Sequence, residues 1–359
     1  MKKRVFGLDL VRSIAFFLVI LVHSFLKSGF NGATVEGFQM FFLLLIRCIA
    51  FTGVLLFMII TGYCMSNKKD SKKRYKSLVK ILAVYFVISI ITILFRKYYL
   101  LDTSTLYQYV SGIFNFTTIP YAWYVEMYVG LFLLIPFLNI LYNNIPTKKQ
   151  KIILILSLLF ICSISTSFSN VNIDNHSLDL LPNWWYNFYP ILLYYIGAYI
   201  KEYQITIKRS INFILIGCSV FMQAFITFFY CHGSTLDDGF IFCHENNLPS
   251  IILATLIFLL LYSVKTHSKF IAKTFYYISY VSFGGYLVSY CCDNYIYGKH
   301  LFSGNSYYFL IYSFVLAPIV FILSSILSFF VNVFVDFTIK LIHTIHSKYL
   351  IRIEGKETY

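Results

Sequence analysis

The sequence predicts an all-α, polytopic membrane protein of about ten transmembrane helices with both termini in the cytoplasm. The 359-residue chain is 59% hydrophobic and 20% aromatic but only 12% charged, more apolar surface than a soluble fold of that length can bury. Ten apolar segments fall at roughly 8–27, 40–65, 77–95, 123–143, 151–169, 187–203, 211–230, 250–265, 274–297 and 307–335. Their lengths fit a hydrocarbon core about 30 Å thick, the longest with tilt. The cations are sorted as well. With the N-terminus in the cytoplasm, 23 of the 29 Lys and Arg lie at the N-terminus, in KKDSKKRYKSLVK, PTKKQK, KEYQITIKR and KTHSKFIAK, and in the C-terminal tail. Only four (Lys27, Arg96, Lys97, Lys299) fall outside, and two (Arg12, Arg47) lie within spans. That asymmetry is the positive-inside pattern. It accounts for the net charge of +14 without a nucleic-acid partner.

The first apolar run follows the basic flank MKKRVFGLDL, has no small-x-small cleavage site, and carries Asp9, Arg12 and His23. It reads as a retained span, not a signal peptide. Pro136, Pro190 and Pro318 fall inside spans and predict kinks whose freed carbonyls neighbouring groups satisfy. The longer outer loops are about 96–122, 170–186 and 231–249. Trp184, Trp185 and Tyr186 border one of them as an interfacial aromatic belt, with a sugar-stacking platform as the other reading. The transmembrane domain covers 1–339. The tail, 340–359, follows an amphipathic IKLIHTIHSKYLIRI stretch and is expected to lie on the cytoplasmic surface. There is no internal repeat. Six of the eight cysteines fall in spans, as small buried apolar residues. Cys231-His232 and Cys243-His244 flank an outer loop. A disulfide and a metal site are both open there, and as four ligands in a loop fix no geometry, no metal is assigned.

Ionisable residues inside spans mark function. Arg12 and His23 are eleven residues apart, about three turns plus 20°, so they share one helical face roughly 16 Å apart along the axis. Orientation then sorts the polar groups by depth. Arg12, Thr61, Lys76, Lys80 and Arg74 form an inner cluster suited to phosphate groups of a cytosolic donor. Asp9, three residues before Arg12, can pair with it. His23, Arg47 and Glu126 form an outer cluster, an imidazole with a carboxylate able to orient it. Asp293, near the outer end of the ninth span, is a further candidate. Each residue has a plainer reading. Arg12 can neutralise Asp9, Lys76 and Lys80 can be topogenic or snorkelling, Arg47 and Glu126 can form an ion pair, and His23 can be a hydrogen-bonded core residue. The matched depths on three neighbouring spans favour the functional reading.

On these residues the chain resembles the acyltransferase-3 family of polytopic membrane acyltransferases. Arg12 and His23 match its R-x10-H signature, preceded by Asp9. GVLLFMIITGYCMSNKK is similar to its second-span element, with Thr61 where serine is usual. AWYVEMYVGLFLLIPFLNIL resembles its Trp-led fourth span, with Trp123 and Tyr124 supporting the site. The resemblance covers nearly the whole chain. It departs where the family carries R-x-x-R at the start of the third span, here Ser77-Leu-Val-Lys80 with Lys76 adjacent, and where a penultimate-span histidine is Ser289. No hydrolase-like domain is fused in this sequence, so the membrane domain itself is expected to deliver the acyl group.

The resemblance implies transfer of an acetyl group from cytosolic acetyl-CoA to a hydroxyl of an envelope glycan or lipid-linked sugar. His23, Glu126 and Arg47 would be catalytic, and Arg12, Thr61, Arg74, Lys76 and Lys80 would bind the donor. No bound cofactor is expected. The partners would be acetyl-CoA, the acceptor, membrane lipids and possible second copies in a homodimer, in a bacterial cytoplasmic membrane. A flippase or transporter of a lipid-linked sugar is the alternative. It would also use intramembrane charge, but the paired, Gly/Pro-interrupted half-repeats common in transporters are not found.

Overall fold

A computed structural model of the protein describes residues 5–68, 71–164, 172–173, 176–177, 181–236, 246–298 and 306–354. The apolar runs fold as helices because an α-helix satisfies its backbone groups internally, as a bilayer demands. Helix α1 spans Phe6–Lys27, with Asp9 in its first turn and Lys27 in its last, the charge order its dipole favours. The second apolar run is two helices, α2 (Gly37–Ala50) and α3 (Thr52–Met65). The break at Phe51 is a bend and not a loop, since its N–H still reaches the Arg47 carbonyl at 3.1 Å.

Helix α4 (Lys72–Tyr98) leads into a connection that is more structured than a plain loop. It holds α5 (Leu106–Phe114), which starts in a capping box: Thr105 N–H donates to Gln108 Oε1 at 2.7 Å, and Gln108 N–H to Thr105 Oγ1 at 3.3 Å. Next come α6 (Trp123–Asn144) and α7 (Lys148–Leu159), which runs on as a wider π turn to Ile164. Helix α8 (Tyr189–Tyr203) follows a 3-10 turn at Asn183–Phe188. Helices α9 (Arg209–Tyr230), α10 (Leu248–Leu261) and α11 (Lys269–Tyr297) come next. Helix α12 (Ser306–Ile311) passes through a π turn into α13 (Ala317–Glu354). Asn172–Ile173 and His176–Ser177 pair as a two-residue antiparallel ladder, and apart from two isolated bridges at Thr34 and Val35 the rest of the regular structure among the described residues is helical.

Among the described residues, six helical segments are long and apolar enough to cross a membrane: Phe6–Lys27, Gly37–Met65, Arg74–Tyr98, Pro120–Asn144, Arg209–Tyr230 and Tyr308–Ile345. Of the other segments expected to span, α7, α8 and α10 are short, and α11 is long but rich in tyrosine, serine and glycine. The last helix continues to Glu354, straight through the boundary expected at 339/340.

The middle of the bundle is α1, α3 and α11. Helix α1 packs on α3 and α11, α3 on α8, and α11 on α13. Helix α3 is apolar around its whole circumference, and Leu55, Leu56, Met58 and Ile59 are fully buried, the pattern of an enclosed helix. It meets α8 backbone to backbone. A Cβ on Gly62 would strike the Tyr194 carbonyl, and one on Gly197 the Ile59 carbonyl, so only glycine permits this crossing. On the outside, Ile322, Ile326, Phe330 and Phe337 of α13 are exposed at helical spacing, a stripe that faces lipid.

Candidate active site

A cavity of about 330 Å³ lies between α1, α3, α4, α6 and α11. Arg12 and Val19 of α1 line it, with Thr61 and Cys64 of α3, Tyr124 and Tyr128 of α6, and Ser282 and Tyr286 of α11. Lys68 and Ser77 line the end nearest the α3–α4 connection. Arg12 is about a third exposed and pairs with the buried Asp9 at 3.7 Å. Its guanidinium also contacts Cys64 Sγ at 3.5 Å. Thr61 donates to the Phe57 carbonyl at 2.7 Å while lining the cavity.

The far end of the cavity is an aromatic wall that ends at His23. Val19 lines the cavity four residues before His23, one turn below it on the same face, about 6 Å along the axis. The imidazole lies flat on the Tyr121 ring, with centroids 3.7 Å apart and planes at 14°. The Tyr121 hydroxyl donates to Asp293 Oδ2 at 2.8 Å. Tyr286, which lines the cavity, donates to the Tyr121 carbonyl, and Tyr124 packs edge-on against Tyr286 at 5.9 Å. Asp293 is fully buried, and its Oδ1 has no hydrogen-bond partner among the described residues. A chain of contacts therefore runs from the Arg12 cavity through Tyr286 and Tyr121 to His23 and Asp293.

Of the residues expected at the site, Arg12, Thr61 and Tyr124 line the cavity, and Asp9 supports Arg12. Glu126 does not orient His23. It is exposed and makes no hydrogen bond or ion pair among the described residues. Tyr124 and Tyr128 face the cavity, and Glu126 is two residues from each, about 200° around the helix. Tyr121 and Asp293 fill the place expected for it. Arg47 is buried, hydrogen-bonds Asn31 Oδ1 at 3.4 Å and lies over the Phe51 ring at 4.5 Å, tying the α1–α2 connection to α2.

Two of the inner cations are committed to the scaffold. Pro136 sits inside α6 and has no N–H, so it frees the carbonyl of Phe132, four residues earlier. Arg74 Nη1 donates to that carbonyl at 2.7 Å, and its guanidinium lies over the Phe132 ring at 4.7 Å. Lys80 pairs with Asp336 of α13 at 2.6 Å, and Tyr280 of α11 donates to the same carboxylate at 2.5 Å. Lys76 is exposed and does not line the cavity. Lys68, Tyr121 and Tyr286 are the additions to the expected set. Lys68 is the first cation after the second span. Tyr286 follows Gly284-Gly285, where a Cβ on Gly285 would strike the Phe16 ring of α1. Nothing in the sequence singles out Tyr121 beyond its place two residues before Trp123.

Cys231 is buried. Cys243 and His244 lie outside the described residues, so the disulfide and metal readings at that loop do too. His232 packs against Phe228 at 5.4 Å.

A bundle of apolar helices around a largely apolar cavity, with a cation at one level and an imidazole three turns away, is a multi-pass membrane protein with an internal cavity. The family model of the acyltransferase-3 acyltransferase domain matches residues 5–337. The chain belongs to that family and is a membrane acyltransferase. No curated protein and no solved structure matches it.

Proposed function

We propose that the protein is an acetyl-CoA-dependent O-acetyltransferase of a bacterial cytoplasmic membrane that acetylates a hydroxyl of an envelope glycan or lipid-linked sugar. The observation that carries this reading is the cavity that joins Arg12 and Lys68 to the aromatic wall below His23. With ten spans and cytoplasmic termini, Lys68 and Arg12 face the cytosol and His23 the outside.

Acetyl-CoA enters at Lys68. Its phosphates are held by Lys68 and by the planar fork of the Arg12 guanidinium. The pantetheine arm follows the roughly 16 Å between Arg12 and His23. The acceptor oxygen attacks the thioester carbonyl while His23 takes the hydroxyl proton. The new C–O bond forms, the C–S bond breaks, and the imidazolium returns its proton to the departing thiolate. Stacking on Tyr121, which Asp293 holds, fixes the plane of the imidazole.

The test compares O-acetyl signals of surface glycans by NMR in cells with the intact protein, without it, and with His23→Ala at equal expression. Loss of one acetyl signal in both altered strains is expected, with turnover by purified His23→Ala down by about 10²–10⁴-fold. A well-folded, fully active His23→Ala would sink the role of His23. An unchanged acetyl pattern, with glycan missing from the surface, would point to a flippase instead.

A further inference from the structure

A second recess opens beside the donor cavity, at the His23 end of α6. It has a volume of about 190 Å³ and is bordered by Trp123, Tyr186, Asn187, Tyr189 and Asn246. These residues come from the start of α6, the 3-10 turn before α8, and the segment before α10. Trp123 and Tyr186 are each 38% exposed, large rings left facing a concave space. Asn187 spends one N–H on the Trp184 carbonyl at 3.3 Å, and its amide oxygen has no partner among the described residues. Among the described residues, no charged side chain lines the recess.

We propose that this recess binds one neutral sugar ring of the acceptor. A pyranose has apolar C–H faces that stack on aromatic rings, and an edge of hydroxyls that match amides able both to donate and to accept. The lack of charge disfavours phosphates, and therefore the donor. The volume is below the 300–1,000 Å³ of drug-sized pockets, which suits one ring. An interfacial aromatic anchor would need neither the concavity nor the amides.

The recess is also well sited for acyl transfer. Trp123 packs edge-to-face on Tyr124, a wall of the donor cavity, at 6.2 Å and 87°. Tyr121, two residues before Trp123, carries His23 on its ring, and two residues of chain span at most about 7 Å. The sugar would lie against the other side of the Tyr124 wall, beside the chain segment that carries the stacking partner of His23. The identity of the ring as part of an acceptor glycan rests on the acyltransferase reading above.

The test is saturation-transfer NMR on the purified full-length protein in detergent, with methyl glycosides of glucose, galactose, mannose and N-acetylglucosamine as probes and acetyl-CoA hydrolysis followed on the same sample. Saturation of ring C–H protons of at least one glycoside is expected. It should weaken roughly tenfold in Trp123→Leu, through loss of one stacked face, and survive in Trp123→Phe. Asn187→Ala should weaken it as well, and decides the matter if Trp123→Leu does not fold. No saturation of any glycoside, or equal saturation in Trp123→Leu and Trp123→Phe, would overturn the proposal. Sugar binding without acetyl-CoA turnover would sink the acyl-transfer reading and leave the recess. Turnover without sugar binding would do the reverse.

Discussion

Arg12 and Arg74 are both arginines on helices that flank the central cavity, yet their surroundings differ. Arg12 keeps about a third of its side chain exposed, beside one carboxylate and one sulfur, and faces an open cavity. Arg74 is 5% exposed and is bound to the carbonyl that Pro136 leaves without a donor. In a membrane every cation is costly to bury, so what a cation is for shows in what it touches. Arg12 has capacity left for a ligand, whereas Arg74 repairs a kinked helix. Lys68 resembles Arg12 in this respect, and Lys80, paired with Asp336, resembles Arg74.

Arg12→Ala is the sharpest way to break this contrast. It should weaken acetyl-CoA binding by about ten- to a hundredfold, the worth of roughly 1.5–3 kcal/mol from charged hydrogen bonds, measured by calorimetry on the purified protein. An unchanged affinity would leave Arg12 a partner of Asp9 and nothing more. Arg74→Ala should act on stability instead. Removing the donor to a buried carbonyl costs about 2–3 kcal/mol, seen as a lower melting temperature in detergent, and restoring the helix N–H with Pro136→Ala should recover much of it. If Arg74→Ala melts like the parent, the carbonyl repair is not its role.

Lys80 and Asp336 should matter less, because both side chains are about a third exposed. A double-mutant cycle with Lys80→Ala and Asp336→Asn is expected to give a coupling of about 0.5–1 kcal/mol. The smallest effect is one of pH. Asp102, in the connection after α4, is held below the usual carboxylate range by hydrogen bonds from the Ser104 hydroxyl and N–H and by Arg96. Its folded pKa is lowered, so its contribution is complete above the ordinary carboxylate value of about 4 and is lost as the pH falls through the lowered one. Protection factors of the α5 amides, corrected for the intrinsic pH dependence of exchange, should therefore fall in acid in the parent protein and show no such step in Asp102→Asn.

The helical, membrane-embedded class was legible in composition. Helical spacing picks out Arg12 and Asp9, depth in the second span Thr61, and the family resemblance Tyr124, and Arg12, Thr61 and Tyr124 all line the cavity. What one-dimensional depth could not supply was direction around each helix. Glu126 was assigned to the correct end of α6 but lies on the wrong side of it, because depth is shared by residues that point opposite ways. Arg74 and Lys80 were read as free cations because their partners, a main-chain carbonyl 58 residues away and an aspartate in the last helix, leave no local pattern. Tyr121 was missed for a related reason. Its importance comes from stacking on a residue of α1, and tyrosine is too common in this chain to be conspicuous. Asp293 was visible as a buried acid near the outer end of its span, though its link to His23 was not.

The glycine crossing of α3 and α8 bears on how the cavity can widen. Two helices that touch through bare backbone have no side-chain slack to take up, so they behave as one stiff spar. Thr61 and Cys64 ride on that spar, and α1 leans on it. The opposite wall, α4 and α6, is held by the Arg74 clasp on the Phe132 carbonyl and by Leu78 in one apolar cluster with Leu131, Phe132 and Ile135, with no such backbone-to-backbone crossing among the described residues. Any breathing that widens the cavity therefore belongs to the α4–α6 flank, with the spar as the fixed jaw.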